Sequence, residues 1–201
     1  MLFPWLLFLI FLARSYIFYY NNYNIDRYLN KTQEEETMYQ FGEFSKQTLE
    51  QLSGKGVFFT VKSGNKINTM TIGWGSLSQY WGEEIFIAPI RPSRYTFELL
   101  KNTDEFTVSV PAQGQMDEAL KICGSRSGRD TDKLAAAGLS LKAAKEITTP
   151  VIDGCNIYYE CKIVYSADLI KDGLPEDILK RAYPAEDLHR LFFGRIIACY
   201  Q

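Results

Sequence analysis

From Met38 onward the chain is a succession of short apolar runs, several of them alternating with period two, divided by polar turns and by single amphipathic stretches. KQTLEQL, capped by Ser45 and stopped by Gly54, reads as a first short helix. GVFFTV (56–61), the turn SGNK and INTMTI (67–72) read as a hairpin. EEIFIAPI (83–90) is a strand closed by a proline, and RPSRYTFELLKN is a loop running into a helix with Ser93 as N-cap. EFTVSV (105–110) returns to strand. QMDEALKIC and DTDKLAAAG form two short helices, the second capped by Asp130 or Thr131 and stopped by Gly138. NIYYECKIVYSADL (156–169) and LHRLFFGRIIACY (188–200) are long strands, joined by LPEDILKRAYPAED as a loop with a helical turn.

The strands outnumber the helices, there is no βαβ rhythm, and no GxGxxG follows a first strand. This order argues against a dinucleotide-binding Rossmann fold. It predicts an α+β chain, mostly β with inserted helices, built as an antiparallel barrel or sheet.

Composition changes this picture little: of 201 residues, 46% are hydrophobic and 23% charged, as in an ordinary globular domain. A formal net charge of -2 offers no general attraction to nucleic acid, which is set aside as a partner. Cys123, Cys155, Cys161 and Cys199 form no CxxC pair and His189 is the single histidine, so no metal site is expected. The cysteines read as four reduced thiols, with Cys155 and Cys161 the pair to consider in an exported protein.

Residues 1–37 have a different character. The apolar run Leu2 to Ala13 is short for a membrane span, and extending it to Tyr20 places Arg14 inside at a cost of roughly 2.5–3.5 kcal/mol. A secretory signal fits poorly, since a basic leading region and a small-residue cleavage site are missing. Gln33 to Met38 can also be encoded by a purine-rich run resembling a bacterial ribosome-binding sequence ahead of a start codon. The preferred reading is a start at Met38 and a cytoplasmic domain over 38–201; the alternative is a membrane anchor through residues 2–20.

Three segments could carry chemistry. RPSRYT (91–96) sets two arginines and two hydroxyls at a helix entrance, where guanidinium forks and free backbone N–H groups suit a phosphate; the plainer reading is a solvated helix start. KINTMTIGWGS (66–76) places Asn68, Thr69 and Thr71 before a glycine turn, able to meet the polar edge of a flat heterocycle; the plainer reading has Trp74 in the core. CGSRSGRDTDKL (123–134) offers Arg129 or Lys133 to an anion, or is an exposed basic loop. No GxSxG, HExxH or Walker lysine motif is present, and His189 reads as a packed or hydrogen-bonded strand residue. No catalytic side chain is assigned; redox chemistry carried by a cofactor needs none.

GVFFTVKSGNKINTMTIGWGSLS, IFIAPIRPSRYTFELLKNTDEFTVSVP, CGSRSGRDTDKL and HRLFFGRIIA, in this order, resemble the flavin reductase-like family of FMN-binding split β-barrels, which includes flavoredoxin. The resemblance covers nearly all of residues 38–201 and none of 1–37. It implies a homodimer holding FMN near the subunit interface. Asn68, Thr69, Met70 and Thr71 would line the flavin ring, with Ser76 in the following loop. Arg91, Ser93, Arg94, Tyr95 and Thr96 would surround the phosphate, and Lys133 would approach from the third segment. The implied activity is hydride transfer from NADH or NADPH to flavin, with electrons passed on to free flavin or a redox protein partner. The alternatives are a flavoredoxin-type carrier without NAD(P)H turnover and a module that only binds flavin.

Overall fold

The computed structural model describes residues 41–201, so the readings made of residues 1–37 lie outside the described residues. Helix α1 spans Phe41–Ser53 and leads into β1 (Val57–Ser63), β2 (Lys66–Ile72), β3 (Ser76–Tyr80) and β4 (Glu83–Ile90). Helix α2 (Tyr95–Leu100) precedes β5 (Glu105–Val110), which is followed by α3 (Asp117–Ser125) and α4 (Lys133–Ala137). A two-residue pair, β6 (Leu141–Lys142) and β7 (Val151–Ile152), comes before the long β8 (Ile157–Asp168). A 3-10 turn (Lys171–Gly173) and α5 (Glu176–Ala182) then lead to β9 (Arg190–Tyr200). Among the described residues no helix is long and apolar enough to cross a membrane.

Seven strands form one antiparallel sheet in the order β2-β1-β5-β8-β9-β4-β3. The sheet is rolled. β5 and β4 are separated by two strands, which in a flat sheet would hold facing side chains about 14 Å apart at ~4.8 Å per strand. Yet the Phe86 and Phe106 ring centroids lie 6.4 Å apart, and Phe86 meets Tyr159 of β8 at 5.7 Å. The roll closes over a core of Phe59, Phe86, Phe106, Tyr159 and Ile196. It depends on Gly194, where a Cβ would sit 2.3 Å from Phe106 Cζ.

The continuous apolar run of β1 has a cause in this architecture. Phe59 points into the rolled core, while its neighbour Phe58 packs with Leu120, Cys123, Val151 and Tyr158 in a second cluster under α3 and β7. A strand buried on both faces has no polar face to alternate with.

Local chemistry shifts some expected boundaries. Ser45 lies inside α1 and donates to the Gly42 carbonyl (3.0 Å), so it is not the cap. Ser93 does not cap α2: its Oγ donates to Asp187 Oδ2 (2.5 Å), and Arg94 occupies the cap position with no side-chain bond. Asp132, a residue or two beyond Asp130 and Thr131, caps α4 by accepting from the Ala135 N–H (3.1 Å), and Gly138 ends that helix as expected. β3 was not expected. It forms because Trp81 and Gly82, with φ of 56° and 74°, turn the chain back so that Ser76–Tyr80 pair with Glu83–Ile87. All four cysteines are buried and free.

One buried charge is fully employed. Glu160, with no exposed surface, accepts the N–H groups of Lys145 (2.6 Å), Glu146 (2.8 Å) and Ile147 (3.2 Å) and the Tyr200 hydroxyl (2.6 Å). It pins the loop between β6 and β7 onto the β8–β9 ribbon. Glu160→Ala leaves these donors without an acceptor, and since each buried orphan costs about 1–3 kcal/mol, a loss of ~3 kcal/mol or more is expected. The check is the urea midpoint at constant m-value; an unshifted midpoint would contradict this role.

Candidate functional site

β2 is one edge of the sheet and β4 lies next to the other, so only the roll brings their ends together. At that seam two clefts share Met70 of β2 and Arg94 of the turn before α2. The first, about 110 Å³, is walled by Arg94, Thr96, the segment 124–128 and Lys133. The second, about 190 Å³, is walled by Thr71, Trp74, Pro89, Arg91 and His189.

Three tethers hold the walls. Asn68 Nδ2 donates to Thr96 Oγ1 (2.7 Å), tying β2 to the first turn of α2. Thr71 Oγ1 donates to the Leu120 carbonyl (2.6 Å), tying β2 to α3. Arg129 donates to the Ser93 carbonyl (3.2 Å) and to Glu98 Oε1 (2.5 Å), which closes the loop between α3 and α4 over the turn. That loop can approach only because residue 128 is glycine. A Cβ there would lie 2.0 Å from Asn68 Oδ1 and 2.8 Å from Tyr95 Cδ1.

The first cleft is cationic. Lys133 is only 6% exposed, and its Nζ donates to the Cys123 carbonyl at 3.0 Å with no carboxylate partner among the described residues. Burial lowers its pKa; the neighbouring Cys123 opposes this and the positive charge of Arg94 adds to it. Arg94 is exposed to the same cleft and makes no ion pair among the described residues. Burial pushes the Cys123 thiol up, so it stays protonated at neutral pH.

The second cleft is aromatic. Trp74, half exposed, lies 4.9 Å from the His189 ring and 6.3 Å from Tyr183. The Tyr183 hydroxyl and His189 Nδ1 are 2.8 Å apart. Burial first, and then the charge of Arg91, lower the His189 pKa to about 4. The imidazole is therefore neutral at pH 7. Arg91 sends Nη1 to the Asp187 carbonyl and Nη2 to the Ala182 carbonyl, each at 2.8 Å.

Ser93, Arg94, Tyr95, Thr96 and Lys133 thus meet Met70 around the cationic cleft, and Thr71 and Arg91 join Met70 and Arg94 around the aromatic one. Asn68 lines a shallower groove beside residues 128–134. Thr69 is fully buried between Thr60 Oγ1 (3.1 Å) and the Phe59 carbonyl (3.4 Å), and Ser76 opens β3; neither lines the two clefts. Trp74 and His189, which line the aromatic cleft, were not among the expected site residues, whereas residues 124–128 fall within the segment 123–134 singled out for an anion. The glycines flanking Trp74 were the available signal for an exposed ring.

A rolled antiparallel sheet with a cationic cleft beside an aromatic one at its seam is a split barrel. The chain belongs to the flavin reductase-like family: the flavin reductase like domain matches residues 52–201. An uncharacterized protein of Archaeoglobus fulgidus is 31% identical over 116 residues, covering 58% of this chain and 64% of that one. The chain spans just under two thirds of the length of the curated relatives it matches. Flavoredoxin from Methanosarcina acetivorans has the same fold at TM-score 0.58 and 24% identity, over 73% of this chain and 68% of that one. An NADH:FAD oxidoreductase of Streptomyces globisporus aligns at TM-score 0.54 and 19% identity, over 73% and 75%.

Gly128→Ala must push the loop off Asn68 and Tyr95. The expected outcome is a fold of near-native stability with the cationic cleft widened, detected as faster amide exchange at residues 124–133. Native exchange rates there would show that the close approach is not needed.

Proposed function

We propose that the protein is an FMN-binding oxidoreductase that takes a hydride from NADH or NADPH and passes electrons to free flavin or to a redox protein. The observation that carries this reading is the pair Lys133 and Arg94. A buried ammonium bonded only to a carbonyl, beside an arginine without a carboxylate, is stable chiefly when an anion completes the site. A phosphate meets that demand, and the adjoining aromatic cleft suits a flat ring, so the residues present fit FMN.

In this reading Lys133, Arg94 and Thr96 hold the phosphate, and Met70, Thr71 and Trp74 flank the ring. FMN, when bound, supplies the hydride-accepting chemistry. The chain's own part is to bind, orient and exclude water. Trp74 and the neutral His189 wall the aromatic cleft without adding a charge that would oppose a nicotinamide. Thr71 is already committed to the Leu120 carbonyl through its hydroxyl hydrogen, so its oxygen can only accept from a ligand.

The Streptomyces oxidoreductase, which shares the fold, is named for NADH and FAD, and the turnover reading takes its hydride donor from that likeness. Homodimerisation belongs to the same proposal. It is supported by an outer aromatic face in which Trp81, Tyr165 and Phe193 cluster, with Trp81 63% exposed and its ring centroid 6.4 Å from Tyr165. Aromatic residues of this kind form the cores of interfaces. The four buried thiols suit a reducing, cytoplasmic setting.

The test is FMN titration followed by anaerobic addition of NADH and then NADPH. Retained flavin that bleaches with either nucleotide is the expected result, while bleaching by dithionite alone identifies the carrier. Lys133→Ala and Arg94→Ala should each weaken FMN binding about 10- to 100-fold, from ~1.5–3 kcal/mol per charge-assisted contact. Undiminished FMN affinity in both variants would refute the phosphate placement.

A further inference from the structure

The chain leaves β8 at Asp168 and returns at Arg190, and between them neither the 3-10 turn nor α5 contributes a buried residue. Within this excursion only Tyr183 (5% exposed) and His189 (8%) are buried. Its base is closed by the Leu169 N–H to His189 carbonyl bond (3.0 Å), by the two-pronged Arg190–Asp168 pair (2.7 Å each) and by the Lys171–Glu186 ion pair. A segment with so little packing of its own takes its position from what grips it.

Arg91 supplies the grip. Its guanidinium forks to the Ala182 and Asp187 carbonyls, and lies 5.0 Å over the Tyr183 ring. Ser93 adds the bond to the Asp187 carboxylate. Arg91 lines the aromatic cleft and is absent from the lining of the cationic one, whereas Arg94 lines both. Two of its donors face carbonyls that no ligand can displace without releasing the segment.

We propose that Arg91, assisted by the Ser93 hydroxyl, is a positioning residue that latches residues 182–189 as the movable wall of the aromatic cleft, and that this wall, not the flavin phosphate, is what Arg91 serves. Through Tyr183 the latch sets the His189 ring and hence the shape of the surface against which the hydride donor is placed. This deepens the flavin reading and rests on it for the donor, while the latch itself is a property of the chain.

His189 is the single histidine of the sequence, so one imidazole resonance reports the wall directly. The groups acting on it are Arg91 and Arg94, which disfavour its protonation, and Asp187, which favours it, with Tyr183 bonded to Nδ1 and the Trp74 ring tilted against it at 4.9 Å. In the flavin-free protein it should titrate near 4, and the stability that a neutral His189 confers is present above its unfolded value of 6.5 and lost as pH falls toward 4.

The experiment is an NMR titration of His189 in the flavin-free full chain, with FMN affinity and steady-state kinetics measured on the same proteins. Arg91→Ala should raise the His189 midpoint, weaken FMN binding far less than Arg94→Ala does, and raise the KM for the nicotinamide nucleotide tenfold or more. Arg91→Lys keeps the charge but cannot fork to both carbonyls, so it should not restore the KM. Ser93→Ala, a milder change, should shift His189 in the same direction by less. If Arg91→Ala loses FMN as severely as Arg94→Ala while the His189 midpoint stays put, Arg91 is a phosphate ligand and the latch is wrong. If the parent binds no FMN, the flavin reading fails, and Arg91→Lys decides the latch: with the charge kept, a shifted His189 midpoint supports it and a parent-like midpoint overturns it.

Discussion

Phe106 lies against the bare backbone of Gly194, and the site depends on that contact. The ring fills the space where any side chain at position 194 would stand, and so β5 and β9 can share one core with Phe86 of β4. Without this depth of roll, β2 and β4 remain on opposite sides of a seven-stranded sheet, and Met70 and Arg94 do not meet. The clefts are therefore a consequence of closure. They occupy the seam where two sheet margins approach without hydrogen-bonding to one another, which leaves room for a ligand between them.

Electrostatics gives the seam its direction. Arg129, Arg190 and Arg195 each have a carboxylate partner, Glu98, Asp168 and Glu83 respectively, so acids are available to this fold where cations need them. Lys133 is more deeply buried than any of these and has only a carbonyl. A carbonyl dipole offsets part of the desolvation cost of an ammonium and leaves the net charge unopposed.

Much of this was legible in the chain. β4 and β5 fall on their expected residues because dense β-branched and aromatic runs end at turn residues, and the hairpin β1–β2 follows from the SGNK turn. β3 was missed because Ser76–Tyr80 carries no β-branched residue and lies on an edge, where pairing with β4 decides the structure more than propensity does. Lys133 could be named as a candidate, but its burial depends on α3 and α4 packing together. Ser93 looked like a cap because local sequence cannot show that Asp187, far along the chain, takes its hydroxyl. Arg91 is the same case: its partners are carbonyls, which carry no residue-type signal at all. Trp74, expected to fill the core, is half exposed because the seam opens beside it.

The turn between β4 and α2 therefore does two things within four residues. Arg91 and the Ser93 hydroxyl bond the segment that returns to β9, while Ser93 and Arg94 also line the cationic cleft. A proline between the first two fixes one backbone dihedral and so limits how far they can move independently. Residues that line the cationic cleft and residues that hold the segment 182–189 thus sit together on one short, stiffened strip of backbone.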